Sequence, residues 1–221
     1  MSRPLVVFDL DGTLVDSQQD LADAANALIV ELGGTPVPVE AIAKMVGDGA
    51  AMLVRRVLTS TGVRVTSLHD ALARFLALYD ERLLATTHLY DGIQAVLDEL
   101  GRVARLGVLT NKPERATHRM LEGLGIAQRF EWTIGGDGAF ARKPDPAGLL
   151  HLVAEAGVSV DRAVMVGDSG VDLATARAAN TRVCLARYGF GFRLTPADLT
   201  GSELVADTPT AIVARLRQSF L

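Results

Sequence analysis

The chain has 221 residues, of which 49% are hydrophobic and 22% are charged. This balance is ordinary for a globular protein, and the length suffices for one full hydrophobic core with a smaller second lobe. The net charge of −4 and the lack of a basic run argue against a nucleic-acid partner. Because the chain has neither a signal-peptide pattern nor an apolar run of about 18 residues, we expect a cytoplasmic protein that does not enter a membrane.

The first part of the chain contains one predicted strand followed by helices. Apolar residues indicate a strand at about 4–10, and leucines and alanines at helical spacing indicate a long helix from Ser17 to Gly33. Further helices are predicted at about 38–46, 50–60 and 67–85. Residues 16–86 are therefore predicted to form a helical insertion after the first strand.

Strands alternate with helices in the rest of the chain. The predicted strands lie at 103–109, 131–135, 163–166 and 182–186, and the predicted helices at 113–124, 146–156, 170–179 and 208–219. Such alternation is typical of a parallel sheet covered by helices on both faces. We predict an α/β fold with a Rossmann-like core formed by 1–15 and 87–221, and a small second domain formed by 16–86.

Two carboxylates, Asp9 and Asp11, come directly after the first predicted strand, and Gly12 suits the turn that ends it. Side chains alternate along a strand, so both carboxylates leave on the same side. Like charges this close are costly unless a cation, a proton or hydrogen bonds offset them. An Asp-Gly pair by itself is an ordinary turn, so the chemical interpretation depends on the residues at the ends of the other strands.

Polar residues are also found close to the ends of later strands and the starts of later helices. In chain order they are Thr110, Asn111, Lys143, Asp168 and Asp172. Each has an ordinary interpretation by itself, as a helix cap, a surface lysine or a loop acid. Ligands of an open parallel sheet bind beyond the carboxyl ends of its strands, so the set as a whole predicts one site there.

This set of residues suits phosphoryl transfer. Asp9 is a competent nucleophile toward phosphorus, and Asp11 could protonate the departing alkoxide and then take a proton from water. Lys143 would supply positive charge against the phosphoryl oxygens. Asp9 and Asp168 are the natural pair for Mg²⁺, and Thr110 and Asn111 lie where a helix start can hold phosphate oxygens.

The chain resembles the haloacid dehalogenase superfamily in four motifs. They are Asp9-Leu-Asp-Gly-Thr13, Thr110-Asn111, Lys143 and Gly167-Asp-Ser-Gly-Val-Asp172. The resemblance implies Asp9 as nucleophile, Asp11 as acid and base, and Lys143 as charge stabiliser. It also implies Mg²⁺ held by Asp9, Asp11 and Asp168 with Asp172 in support, and a helical insertion that acts as a cap over the site.

Within that superfamily the chain is similar to phosphoglycolate phosphatases. The segments that carry this similarity are Val46-Gly-Asp-Gly49, Thr110-Asn-Lys-Pro113, Gly135-Gly-Asp137 and Tyr188-Gly-Phe-Gly191. The resemblance implies that 2-phosphoglycolate is the substrate, whose carboxylate needs a positive or N–H-rich partner. Candidates are Arg55 and Arg56, or the backbone around Gly47 and Gly49, although both arginines also suit an exposed helix face.

Other functions stay open at this point. Phosphatases for sugar phosphates such as N-acetylmuramate 6-phosphate share several of the same segments. A phosphoglucomutase would need a histidine near Ser17, a dehalogenase would not need Asp11, and a phosphonate-cleaving enzyme would need a cap lysine, for which only Lys44 is present. A non-catalytic phosphate-binding protein on the same fold is the alternative from a different class. The sequence does not indicate an oligomeric state.

Overall fold

The computed structural model describes residues 3–220 of the chain. The strands in this part are β1 (Leu5–Phe8), β2 (Val15–Asp16), β3 (His88–Leu89), β4 (Arg105–Leu109), β5 (Trp132–Ile134), β6 (Ala163–Gly167), β7 (Arg182–Ala186) and β8 (Leu204–Ala206). The α-helices are α1 (Gln18–Glu31), α2 (Val39–Ala43), α3 (Ala50–Thr61), α4 (Leu68–Asp80), α5 (Ile93–Leu100), α6 (Glu114–Gly123), α7 (Ala147–Glu155), α8 (Gly170–Ala178) and α9 (Pro209–Ser219). None of these helices is long and apolar enough to cross a membrane.

Six strands form one parallel sheet in the order β5-β4-β1-β6-β7-β8. Strand β1 lies in the middle, where Val6 pairs with Leu106 of β4 on one side and with Val164 of β6 on the other. All four residues of β1 are fully buried, as expected of a strand covered on both faces. The predicted α/β fold with a parallel sheet is confirmed.

The two faces of the sheet support two separate hydrophobic clusters. Val6 and Phe8 point into a cluster that contains apolar residues of α5 and α9, and Leu5 and Val7 point into one that contains residues of α7 and α8. This alternation follows from the two-residue period of a strand. The strand ends that carry the polar residues are therefore held by packing on both sides.

Helices α1 to α4 lie between β2 and β3, two short strands that pair antiparallel through Val15–Leu89 and Asp16–His88. Helix α1 contacts each of the other three helices. The predicted boundary after residue 15 lies within β2, and the boundary after residue 86 lies just before β3. The division into a core and a cap domain stays a prediction, and this two-stranded ribbon is where the chain passes between the two predicted parts.

A buried carboxylate joins the segment that enters the helical insertion to the segment that leaves it. Asp20, in the first turn of α1, is fully buried. Its oxygens accept hydrogen bonds from the backbone N–H and the hydroxyl group of Thr86, at 2.9 and 2.6 Å, and from those of Thr87, at 3.0 and 2.7 Å. This set satisfies the carboxylate without a cation. It fixes the start of α1 against the segment that returns to β3.

The structure also contains elements that the sequence analysis missed. Helix α5 was not predicted, although its buried residues recur at helical spacing, namely Ile93, Val96, Leu97 and Leu100. Strands β2, β3 and β8 have only two or three residues each, too few to show an alternating pattern. Helix α4 ends at Asp80 and not near residue 85, because residues 81–86 form turns and bends.

Candidate active site

The middle of the sheet brings three predicted site residues together. Asp9 follows β1, Thr110 follows β4 and Asp168 follows β6, and these strands are neighbours in the sheet. All three residues are buried, and all three line one cavity of about 50 Å³. The site therefore lies beyond the carboxyl ends of the central strands, where an open parallel sheet binds its ligands.

Lys143, in the loop before α7, lies between two carboxylates. Its Nζ is 2.8 Å from Asp9 Oδ1 and 2.6 Å from Asp172 Oδ1, and its side chain is 2% exposed. Burial disfavours the ammonium ion, but Asp172 and Asp9 outweigh this effect and raise the pKa of Lys143 above its ordinary value. Lys143 is therefore a fixed positive charge beside Asp9.

The surroundings of Asp9, unlike those of Lys143, disfavour its charged form. Burial raises the pKa of Asp9 to about 6, against the lowering effect of Lys143, and Asp172 and Asp11 raise it further. The carboxylate is therefore short of positive charge even with a lysine in contact. A cation placed on this group would favour its ionised form.

Asp172 is held by the first turn of its own helix, α8. Its Oδ2 accepts hydrogen bonds from the backbone N–H of Ser169 at 3.0 Å and from the Ser169 hydroxyl at 2.6 Å. The Asp172 N–H donates in return to Ser169 Oγ at 3.4 Å, which completes a capping box. Gly167 allows the close approach, since a Cβ there would lie 2.2 Å from Asp172 Cγ. Asp172 can thus cap α8 and contact Lys143 at once.

Asp9, Asp168 and Asp172 offer carboxylate oxygens that lie within 4.8 Å of one another. Asp168 Oδ2 accepts a hydrogen bond of 2.7 Å from the Gly191 N–H. Burial, Asp172 and Asp9 raise the pKa of Asp168 well above its ordinary value. Three buried carboxylates with one lysine retain excess negative charge, and oxygen ligands of this kind suit Mg²⁺. The donor set therefore fits a divalent cation.

The Asp11 carboxylate does not belong to this group of three. Its Oδ1 accepts hydrogen bonds from Ser17 Oγ at 2.5 Å and from Lys112 Nζ at 2.9 Å, and its Oδ2 lies 3.0 Å from the same Nζ. Lys112 also donates to the Tyr79 hydroxyl at 2.6 Å, and its Nζ lies 4.6 Å from the centroid of the Tyr79 ring. Asp11 therefore faces the helical insertion, since Tyr79 belongs to α4.

Sequence reasoning assigned no role to Lys112 or Tyr79. Lys112 directly follows the Thr110-Asn111 pair and is one of three lysines in the chain. Its position in the motif was a signal that could have identified it. Tyr79 offered no such signal, because its contact with Lys112 joins residues that are distant in the sequence.

Thr110 and Asn111 lie in the site, but the side chain of Asn111 is engaged. Its Nδ2 donates to the Gly47 carbonyl at 3.0 Å and to the Lys143 carbonyl at 2.9 Å. The Thr110 hydroxyl accepts a hydrogen bond of 3.3 Å from the Lys112 N–H. Asn111 thus holds the segment that carries Lys143, and Thr110 lines the cavity.

The insertion residues predicted to bind a substrate carboxylate are dispersed. Gly47 and Gly49 line the cavity, and Gly49 precedes the first turn of α3. Arg56 lies 2.5 Å from Asp48 and donates to the Met45 carbonyl at 2.8 Å, so it binds within the insertion. Arg55 is exposed and lines a separate surface depression at the end of α3. The structure does not bring either arginine into the cavity that contains Asp9.

Comparison with known proteins agrees with this site. A family model described as haloacid dehalogenase-like hydrolase matches residues 6–186, which include all four motifs. The chain belongs to this family. The resemblance stated from the motifs is therefore confirmed, and the neighbouring solved structures have the same fold.

Relatives of the chain include named enzymes. A phosphoglycolate phosphatase from Rhodospirillum rubrum is 45% identical over 192 residues, which cover 84% of this chain and 80% of that protein. The plasmid phosphoglycolate phosphatase of Cupriavidus necator is 38% identical over 219 residues, with 98% and 94% covered. A crystal structure of "a predicted phosphoglycolate phosphatase" from Haemophilus somnus superposes with a TM-score of 0.90 at 27% identity, covering 97% of this chain and 98% of that one.

Proposed function

We propose that this protein is a Mg²⁺-dependent phosphatase that hydrolyses 2-phosphoglycolate to glycolate and phosphate through an aspartyl-phosphate on Asp9. The observation that carries the proposal is the position of Asp9. It lies at the end of the central strand, 2.8 Å from Lys143 and grouped with Asp168 and Asp172, with Asp11 two residues further on. The named relatives, which match most of the chain, support the substrate.

The reaction takes two displacements. In the substrate complex Asp11 carries a proton. A carboxylate oxygen of Asp9 attacks phosphorus and forms a new P–O bond, while the ester P–O bond breaks and Asp11 gives that proton to the departing glycolate oxygen. Water then attacks the phosphorus of the aspartyl-phosphate. Asp11 takes a proton from that water as the bond to Asp9 breaks, and phosphate leaves. Asp9 and Asp11 return to their starting states.

The remaining residues orient the phosphoryl group and neutralise its charge. Lys143 places positive charge next to Asp9, where the phosphoryl oxygens approach, and Asp172 fixes Lys143 in that position. Mg²⁺ would be held by Asp9 and Asp168 with Asp172 beside them, and it would supply positive charge against the phosphoryl oxygens. The Thr110 hydroxyl would donate to a phosphate oxygen, and Asn111 holds the Lys143 loop at the end of β4.

The named relatives argue against larger substrates. Apolar residues of the insertion, Leu53, Phe75 and Leu76, line the cavity that contains Asp9. A sugar phosphate such as N-acetylmuramate 6-phosphate needs room for a ring and its substituents, whereas glycolate has two carbons. A non-catalytic phosphate-binding protein would have no use for Asp9, Asp11 and Lys143 together. Cytoplasmic location stays a prediction.

The test is kcat/KM with Mg²⁺ over a panel of phosphate monoesters, with D9N as the blank. The panel holds 2-phosphoglycolate, N-acetylmuramate 6-phosphate and glucose phosphates. We expect 2-phosphoglycolate to be preferred by at least about 100-fold, or about 2.7 kcal/mol in transition-state binding. We expect D9N to lose at least about 10⁴-fold in kcat, because it lacks the nucleophile. A sugar-biased profile would contradict the substrate, and activity of D9N near that of the wild type would contradict the mechanism.

A further inference from the structure

The cavity that contains Asp9 has one cationic side chain in its wall. Of the lysines, arginines and histidines in the part of the chain that the structure describes, Lys112 alone lines this cavity. Lys143 lies behind Asp9, held between two carboxylates. A second anionic group on the substrate therefore has Lys112 as its available cation.

Lys112 is held in place from both sides of the cavity. Its side chain is 2% exposed, its Nζ contacts both oxygens of Asp11, and the Tyr79 hydroxyl accepts its third contact. Tyr79 in turn stacks on Phe75 with ring centroids 6.0 Å apart and planes 4° from parallel. A carboxylate and a phenol oxygen thus surround the Lys112 ammonium and fix its position in the cavity wall.

The chemistry of the substrate places a carboxylate close to Asp11. In 2-phosphoglycolate one methylene group separates the ester oxygen from the carboxylate carbon. Asp11 must contact that ester oxygen to protonate it. The partner of the carboxylate must then lie directly beside Asp11, and Lys112 Nζ does so at 2.9 and 3.0 Å.

We propose that Lys112 binds the carboxylate of the substrate and that the Tyr79 hydroxyl donates to it from the insertion. These two residues would select short phosphate monoesters that bear a carboxylate on the carbon next to the ester oxygen. The inference rests on the proposed function and assigns its specificity to residues that the sequence analysis did not identify. Lys112 has three donor hydrogens, so it can turn one of them from an Asp11 oxygen to the substrate while it keeps one contact with Asp11 and one with Tyr79.

Three basic residues of the insertion, Arg55, Arg56 and Lys44, do not meet this requirement. Arg56 is paired with Asp48 and Met45, and Arg55 lines a depression elsewhere. Lys44 is exposed and does not line the cavity. Because Lys44 is the one remaining lysine of the chain besides Lys143, its substitution provides a matched control.

The test compares 2-phosphoglycolate with ethyl phosphate, which has a methyl group in place of the carboxylate. The readout is the ratio of the two kcat/KM values, so effects on Asp11 that reach both substrates cancel. We expect K112M to lower this ratio by about 10- to 100-fold, the range for hydrogen bonds to charged groups. We expect Y79F to lower it by about 5-fold, the effect of one hydrogen bond, and K44M to leave it unchanged. Glycolate inhibition gives a second readout, and its inhibition constant should rise in K112M.

The outcomes separate this inference from the proposed function. If the wild type prefers 2-phosphoglycolate and both K112M and Y79F keep that preference, Lys112 is not the carboxylate partner and the backbone near Gly49 takes its place. If the wild type hydrolyses both esters equally well, both this inference and the substrate are wrong, but the phosphatase stands. If it hydrolyses neither, the proposed function fails. Should K112M not fold, the Y79F ratio decides, because that variant keeps the buried ring.

Discussion

The site contains two buried lysines whose surroundings differ. Lys143 lies in the α/β core, where Asp9 and Asp172 both contact its Nζ. Lys112 lies against the helical insertion, where one carboxylate, Asp11, and one phenol, Tyr79, contact its Nζ. Lys143 therefore keeps one carboxylate partner when the other is removed. Lys112 has no second carboxylate among these contacts and keeps only Tyr79 when Asp11 is removed. The comparison indicates that the core side provides the nucleophile and its charge stabilisation, and that the insertion side provides the proton transfer and the selectivity.

After the loss of the nucleophile, the next largest effect should come from removing Asp11, the acid on the insertion side. D11N should lower kcat for 2-phosphoglycolate by about 10²- to 10⁴-fold, because the departing alkoxide then leaves unprotonated. p-Nitrophenolate leaves without a proton, so the first displacement of p-nitrophenyl phosphate should be affected far less. Rapid-mixing kinetics should show a burst of p-nitrophenolate followed by slow turnover. Equal losses for both leaving groups would mean that Asp11 does not act as the acid.

On the core side, Asp9 should make the free energy of unfolding of the metal-free protein depend on pH. The pKa of Asp9 is raised from 3.8 to about 6, so the folded protein holds a proton that the unfolded chain has lost between these values. Stability should therefore fall as pH rises from about 4 to about 6, by up to about 3 kcal/mol. Urea unfolding of wild type and D9N across this range isolates the effect as their difference. Mg²⁺ should reduce the fall, and a wild-type curve parallel to that of D9N would contradict the assignment.

The core side was more accessible to sequence reasoning than the insertion side. Asp9 and Asp168 follow strands whose apolar character is plain, and parallel strands bring their carboxyl ends to one edge, so their proximity follows from the alternation of elements. Lys112 and Tyr79 are 33 residues apart and meet through side chains of two different layers. The direction of a helix side chain relative to a distant loop depends on packing that spacing does not encode. The engagement of Asn111 by two carbonyls was hidden for the same reason.

The same comparison predicts unequal costs of neutralising the two aspartates. D11N leaves the buried Lys112 ammonium with a phenol and an amide, whereas D9N leaves Lys143 in contact with Asp172. D11N should therefore lower the free energy of unfolding by about 2 kcal/mol, because an ammonium ion loses its counter-charge in a buried site. D9N should cost little or stabilise, since it removes a carboxylate that burial disfavours. Metal-free unfolding in urea at pH 7 measures both, and equal stabilities would show that Tyr79 alone suffices for Lys112.

The smallest effect distinguishes Tyr188, which is half-buried, from the buried Tyr79. The Tyr188 hydroxyl donates to the Thr13 carbonyl at 2.7 Å, and its ring packs edge-on against Tyr90 with centroids 5.0 Å apart, a contact within the core. Y188F should lower the free energy of unfolding by about 1 kcal/mol, the usual effect of one hydrogen bond. It should also change kcat/KM for 2-phosphoglycolate and ethyl phosphate by the same factor. Y79F also removes a tyrosine hydroxyl, but on the insertion side, and should change the ratio of the two kcat/KM values. The Tyr188 hydroxyl contacts Thr13, whereas that of Tyr79 contacts Lys112. If Y188F altered the ratio as much as Y79F does, selectivity would therefore depend on the whole site and not on Lys112.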